Sequence, residues 1–291
     1  MSVDAASATQ MSGSEVARLV ETSEARAYAA LVTGAPKELN AQHGLEVHQV
    51  GATTVFVAAG VRDSLVLNRV IGLGIGEPAT QSILDELDAI YRASGIATYA
   101  AEVSPACEPP DLPSRLRTRG FVPYKQTSMC YRAAQPIASP ACDLLVRRAA
   151  VAEAEAYAEL SCGLFDFEEP FPSMLRATFQ RPAWQQWLAF DRDRPVAAAI
   201  THYADQVAWI GWVGTLADYR GRGAQSALTA AQLQAASENG CRWVTLEAAT
   251  GTKKQASQSL RNYRRLGWNV AYDRIVYVRR AQPRAQDPRE S

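Results

Sequence analysis

The sequence predicts an α/β protein in which helices flank a mixed central sheet, built as two halves on one plan. Three observations carry this. The chain has 291 residues, a length that suits two ordinary domains better than one. Short β-rich runs alternate with amphipathic helical runs in both halves. At an offset of 145 residues, Gly95 falls on Gly240 and Glu102 on Glu247. The run from Leu116 to Phe121 also resembles Arg264 to Trp268, with the offset there two residues longer.

The first half reads as follows. Residues 1–13 are Ser/Ala-rich and are expected to be a disordered tail. Val16, Leu19, Val20, Ala27 and Leu31 share a helical stripe, so residues 14–31 are a helix. Strands are expected at 45–50, 53–59 and 66–73. Ile83, Leu84, Leu87, Ile90 and Tyr91 mark one face of a helix stopped by Gly95. A strand over 96–103 follows, then a Pro-rich irregular run over 104–113. A short helix over 114–118 and a strand over 127–131 complete a first unit, residues 14–134.

Residues 135–142 hold two prolines and small residues and read as a linker. The second unit, residues 143–280, restarts with a strand over 144–147 and an Ala/Glu-rich helix over 151–160. An aromatic and acidic stretch over 165–171 leads into a helical region extending through Trp187. Residues 188–190 and 196–203 form a hairpin turned at Asp191, Arg192 and Asp193. A strand over 207–215, a helix over 224–238 and a strand over 244–248 come next. A helix over 257–266 and a last strand over 272–278 follow. Residues 281–291 are polar, with Pro283 and Pro288, and are expected to be a second disordered tail.

Composition excludes several classes of function. Lys plus Arg and Asp plus Glu are 30 each, so the formal charge is zero. That argues against bulk attraction to nucleic acid or an anionic membrane. No apolar run is long enough to span a bilayer. Three histidines (His43, His48, His202) do not make a His-rich zinc site. Five scattered cysteines without a CxxC predict a reduced, cytoplasmic chain and not a disulfide framework.

The strongest chemical signal is the run Thr215-Leu216-Ala217-Asp218-Tyr219-Arg220-Gly221-Arg222-Gly223-Ala224-Gln225. A strand feeds a Gly/Arg turn, and a long helix starts at once. The helix start offers unpaired N–H groups and the positive end of the dipole. Glycines let the backbone approach a pyrophosphate closely, and Arg220 and Arg222 can add charge. No GK[ST] follows, so it is not a Walker loop, and GxGxxG is absent.

This turn resembles the acyl-CoA motif of the GNAT superfamily of N-acyltransferases, [QR]-x-x-G-x-[GA], standing here as Arg220-Gly221-Arg222-Gly223-Ala224-Gln225. Gln225 departs from the usual Gly or Ala. A second run, from Ser259 to Trp268, resembles the family's terminal helix with its Tyr-x-x-x-Gly-aromatic pattern. The resemblance covers about Leu144 to Arg280. It implies acetyl-CoA as acyl donor and a cofactor site of Val213, Gly214, Thr215, the six residues of the turn, Asn262 and Tyr263. Tyr263, four residues before Gly267, is implied as the acid that protonates the thiolate. No counterpart of the Asn often found upstream is present near Gln255 and Ala256. The first half resembles the same fold with its chemistry erased. There Gly76-Glu77-Pro78 falls on Gly221-Arg222-Gly223, and Leu116 stands near the place of the tyrosine.

The implied activity is direct acyl transfer to a primary amine of a small-molecule or amino-acid-like acceptor. The base stays open between Glu247, His202 and a water chain, with Glu247 the named candidate. A backbone N–H at Val213 or Gly214 would polarise the carbonyl. Asp166, Glu168 and Glu169, set among three phenylalanines, are candidates for attracting a cationic amine. No metal, nucleic acid or membrane partner is expected. Two other readings stand beside this one: a non-catalytic acyl-CoA-binding module, and a tandem enzyme with two active halves.

Overall fold

Eleven strands form one mixed sheet whose two ends mirror each other. The computed structural model describes residues 11–280 apart from 139, 253 and 254. Most of both expected tails therefore lies outside the described residues. Helix α1 (Gly13–Thr33) opens the chain. Ser12 caps it by accepting the Glu15 N–H, while Glu15 accepts the Ser12 N–H at 2.7 Å, so two orphan donors are satisfied reciprocally. A short α2 (Lys37–His43) follows, which the sequence reading lacks. Then come β1 (Leu45–Val50), β2 (Thr53–Ala58), β3 (Arg69–Ile71), α3 (Gln81–Ala93), β4 (Tyr99–Val103), α4 (Leu112–Thr118) and β5 (Phe121–Ala133).

The second half repeats that order after an added edge strand, β6 (Leu145–Arg148). Its elements are α5 (Ala154–Phe165), α6 (Phe171–Thr178), β7 (Trp184–Asp191), β8 (Arg194–Ala204), β9 (Val207–Thr215), α7 (Ala224–Glu238) and β10 (Trp243–Ala249). A two-strand hairpin, β11 (Gly251–Thr252) and β12 (Gln255–Ala256), precedes α8 (Gln258–Arg265) and β13 (Asn269–Arg279). The expected helix through Trp187 is corrected here: α6 stops at Thr178 and Trp184 opens a strand. Trp184, Trp187 and Leu188 have helical spacing, yet the strand is buried on both faces and so shows no alternation.

The sheet order is β1-β2-β3-β4-β13-β5-β10-β9-β8-β7-β6. A pseudo-two-fold axis between β13 and β5 exchanges the halves. Each half surrenders its last strand to the other. β5 pairs with β10 of the second half, and β13 pairs with β4 of the first; both pairings are antiparallel. The two exchanged strands also pair with each other from Asn269↔Tyr131 to Arg279↔Phe121.

Helix α1 crosses the face of the sheet where the halves meet. It buries Val16, Val20, Ala27, Tyr28 and Leu31, and the last three join a core with Phe56, Leu188 and Trp209. Helix α7 packs on the other face against Ala208, Ile210, Val244 and Leu246. Among the described residues, no helix is long and apolar enough to cross a membrane.

Candidate active site

The site forms where two parallel strands part. β9 and β10 pair from Trp243↔Val207 to Leu246↔Ile210 and no further. The cause lies in β9 itself. Its pairing with β8 shifts register between Ala198 and Ile200, which bulges the strand at Trp212, held at a φ of 46°. A bulge bends its strand and raises the local twist, so β9 turns away from β10. Val213, Gly214 and Thr215 line the opening.

The cleft so formed is a cavity of about 810 Å³. The glycine turn and α7 close one side, and α8 closes the other. Gly221 and Gly223 both adopt a φ of 84°, the left-handed region that suits glycine. Gly223 also has no room for a side chain, because a Cβ would come within 2.3 Å of the Ala141 carbonyl oxygen. Among the described residues, the N–H groups of residues 221–226 donate to no backbone carbonyl. They are the open donors of a helix start, aimed where an anion fits.

Of the predicted cofactor residues, Val213, Gly214, Thr215, Arg220, Gly221, Gly223, Ala224, Gln225 and Asn262 line the cavity. Arg222 does not. Its guanidinium forks onto Asp143 at 3.0 and 2.6 Å and reaches Asp191 at 3.2 Å. These bonds hold the turn to the neighbouring strand ends and leave Arg220 as the turn's cation in the cleft. Gln225, the departure from the family pattern, is a brace between helices. Its amide donates to Ser259 Oγ at 2.7 Å and accepts from Asn262 Nδ2 at 2.6 Å.

Tyr263 is one layer behind the wall. Its ring is 3 % exposed and packs edge-on to Trp268. Its hydroxyl lies near the side chains of Gln225, Ser259 and Thr229, the first two of which face the cavity. Burial pushes the phenol up to about 12. Sequence reasoning missed Ser259, Gln258 and Arg265 as lining groups. Helical spacing around Asn262 would have found them, since i±3 and i±4 neighbours share a face.

Glu247 sits on β10 one residue beyond the last pair with β9. Its carboxylate meets Nη2 of Arg274 at 2.8 Å, and a quarter of its side chain stays exposed. Arg274 is fully buried and also contacts Glu21, Glu24 and Glu102 at 3.1, 2.7 and 2.6 Å. Arg69 joins Glu24 and Glu102, and its guanidinium lies 3.8 Å above the Tyr28 ring. Four carboxylates thus share two guanidinium groups. Burial pushes Glu21 up to about 7, against the pull of Arg274. The other proposed base, His202, lies elsewhere, facing α1 and away from the cleft.

An aromatic wall rises beside the splay. Phe165, Phe167 and Phe171 stack in turn, at 5.7 and 4.3 Å between centroids, and Trp212 meets Phe167 and Phe171 edge-on. Asp166 and Glu168 are exposed on this loop. Glu169 accepts from Ser173 and from Arg176. Asp166 also ends α5 in the left-handed conformation, at a φ of 53°.

The first half has the corresponding turn, but its own chain fills it. The Glu77 carboxylate accepts the Ala52 N–H at 2.5 Å. Backbone bonds from Glu108 N to Gly74 O and from Ala79 N to Glu108 O, at 2.8 and 2.7 Å, lay the Pro-rich run onto the turn. A Cβ at Gly74 would meet the Glu108 oxygen at 2.7 Å.

Comparison with known proteins agrees with this geometry. Residues 146–271 match the family model of the acetyltransferase (GNAT) domain. The match covers the part of the chain that holds the cleft, and acyl transfer from acetyl-CoA is that family's general chemistry. No curated protein sequence matches the chain. Among solved structures, it is similar to a GCN5-related N-acetyltransferase from Kribbella flavida, at 20 % identity and a TM-score of 0.60, covering 88 % of this chain and 95 % of that one. One from Sphaerobacter thermophilus gives 18 %, 0.59, 92 % and 94 %. A tandem GNAT protein of the clavulanic acid biosynthesis pathway gives 15 %, 0.51, 75 % and 76 %. These likenesses concern the fold, which spans both halves.

Proposed function

We propose that the second half, residues 143–280, is an N-acetyltransferase that moves an acetyl group from acetyl-CoA to a primary amine of a small or amino-acid-like acceptor. The observation that carries this reading is the splay of β9 from β10, opening onto a glycine turn whose amides are uncommitted. When bound, acetyl-CoA supplies an activated carbonyl and a thiolate leaving group. The amides of the turn and Arg220 hold the pyrophosphate, and a backbone N–H at Val213 or Gly214 polarises the carbonyl.

Glu247 accepts the proton of the attacking amine from its place at the splay. Tyr263 returns a proton toward the thiolate by way of the Ser259 hydroxyl, which lies beside it and faces the cavity. Asp166, Glu168 and Glu169 attract the cationic acceptor to the aromatic wall. Residues 14–134 form a non-catalytic half whose helix α1 backs the Glu247 carboxylate, and residues 135–142 join the units. Five free thiols suit the reducing cytoplasm as the place of work.

A non-catalytic acyl-CoA-binding role is the second reading. The burial of Tyr263 and the ion pair at Glu247 favour it. Thiol release from acetyl-CoA over a panel of amines separates the two. An enzyme turns over at least one amine, and Tyr263→Phe lowers its kcat about 100-fold with acetyl-CoA affinity in calorimetry unchanged. Acetyl-CoA binding without transfer to any amine supports the binding module. Equal turnover by Tyr263→Phe removes the acid assignment.

A further inference from the structure

A second cavity, of about 330 Å³, lies at the other end of β9. Helix α1 covers one side, and β8, β9 and β10 supply the other. It shares no residue with the cleft at the splay. The volume is at the lower end of the range for small-molecule sites. Leu19, Trp209 and Trp243 give it an apolar lining with two indole rings.

Its polar groups are unequally committed. Glu15 is engaged in the cap of α1, and Asp205 is paired with Arg26. Arg18 makes no hydrogen bond or ion pair among the described residues and acts on Glu15 only through space. The lining thus carries one uncommitted cation and no uncommitted carboxylate. An amine would meet carboxylates already engaged, whereas an anion would meet a guanidinium with its donors open. His202 is 5 % exposed and packs on Trp184, with centroids 4.5 Å apart. Its ring nitrogens make no hydrogen bond among the described residues. Burial alone drives it down to about 4, so the imidazole is neutral and offers one donor and one acceptor.

We infer that this cavity is a second ligand site, for a small aromatic carboxylate. The ring lies against Trp209 and Leu19, the carboxylate meets Arg18, and a ring N–H or hydroxyl reaches His202. The inference does not depend on the proposed transfer reaction, since the two cavities have separate linings.

Calorimetry on the full chain with indole-3-acetate tests it, with indole-3-acetamide as the uncharged counterpart. Indole-3-acetate is expected to bind with 1:1 stoichiometry, about tenfold more tightly than the amide, as one charged hydrogen bond allows. Arg18→Ala should remove that preference, and Leu19→Trp, which fills the cavity, should abolish binding. Both variants should keep wild-type affinity for acetyl-CoA, which also shows that they fold. No saturable binding of indole-3-acetate overturns the inference. So does equal affinity for acid and amide, or undiminished binding by Leu19→Trp.

Discussion

Glu102 and Glu247, 145 residues apart, each place a carboxylate oxygen on the same nitrogen of Arg274, at 2.6 and 2.8 Å. They occupy matching places on β4 and β10, and the arginine comes from the exchanged strand β13. The repeat visible in the sequence thus meets itself at one side chain. Removing Arg274 would leave the buried Glu21 and the half-buried Glu247 without a guanidinium, and Glu24 and Glu102 with Arg69 alone. Arg274→Leu is expected to cost about 3–5 kcal/mol, measured by denaturant unfolding. A loss under 1 kcal/mol would mean that the cluster is neutral without it.

The same cluster makes stability depend on pH. The folded state holds a proton on Glu21 up to about pH 7, whereas an unperturbed glutamate releases it near 4.5. Between those values the native state binds more protons, so Glu21's contribution falls as pH rises. Glu21→Gln removes this loss. Relative to wild type, the variant should gain stability from pH 4.5 to pH 7. Thermal melts across that window check it, and parallel curves would refute it.

Gly223→Val should weaken acetyl-CoA binding at least tenfold. The added Cβ strikes the Ala141 carbonyl, and a β-branched residue is strained at a φ of 84°. Calorimetry reads the affinity, and a melt separates local distortion from unfolding. Gly221→Ala is the milder comparison, since nothing lies within 4 Å of its Cβ.

Arg220 and Arg222 should behave differently. Arg220→Ala is expected to raise the acetyl-CoA Kd roughly three- to tenfold, more at low salt. Arg222→Ala should have a smaller effect on Kd, because its fork is already engaged by Asp143 and Asp191. Equal effects would place both guanidinium groups on the ligand.

One acetyl-CoA should bind per chain. The turn of the first half is filled by Glu77 and by the backbone of Glu108. Two equivalents in calorimetry would restore the reading of two active halves.

The legible parts of this protein were local. The glycine turn announces itself through φ-sensitive glycines beside a helix start, and the repeat fixes Glu102 and Glu247 as counterparts. Placement of Gln225 as a brace, and of Arg222 on Asp143, depends on neighbours 34 and 79 residues away. No periodicity encodes such distances. The short helix α2 has no buried residue, so it leaves no apolar stripe to read. The α6–β7 boundary failed for the opposite reason, since a strand buried on both faces carries no alternation. The exchange of β5 and β13 is the least legible feature, because a strand's pattern does not name its partner.

That exchange bears on how the chain matures. β13 follows every other described element in the chain, yet it belongs in the middle of the sheet, between β4 and β5. Until it arrives, both strands present unpaired edges, which are templates for wrong association. The N-terminal half cannot finish first and wait, as domains made in succession commonly do. Its long-range pairing also predicts slow closure. This topology predicts a single late closure, in which β13 locks both halves at once and delivers Arg274 to its carboxylates.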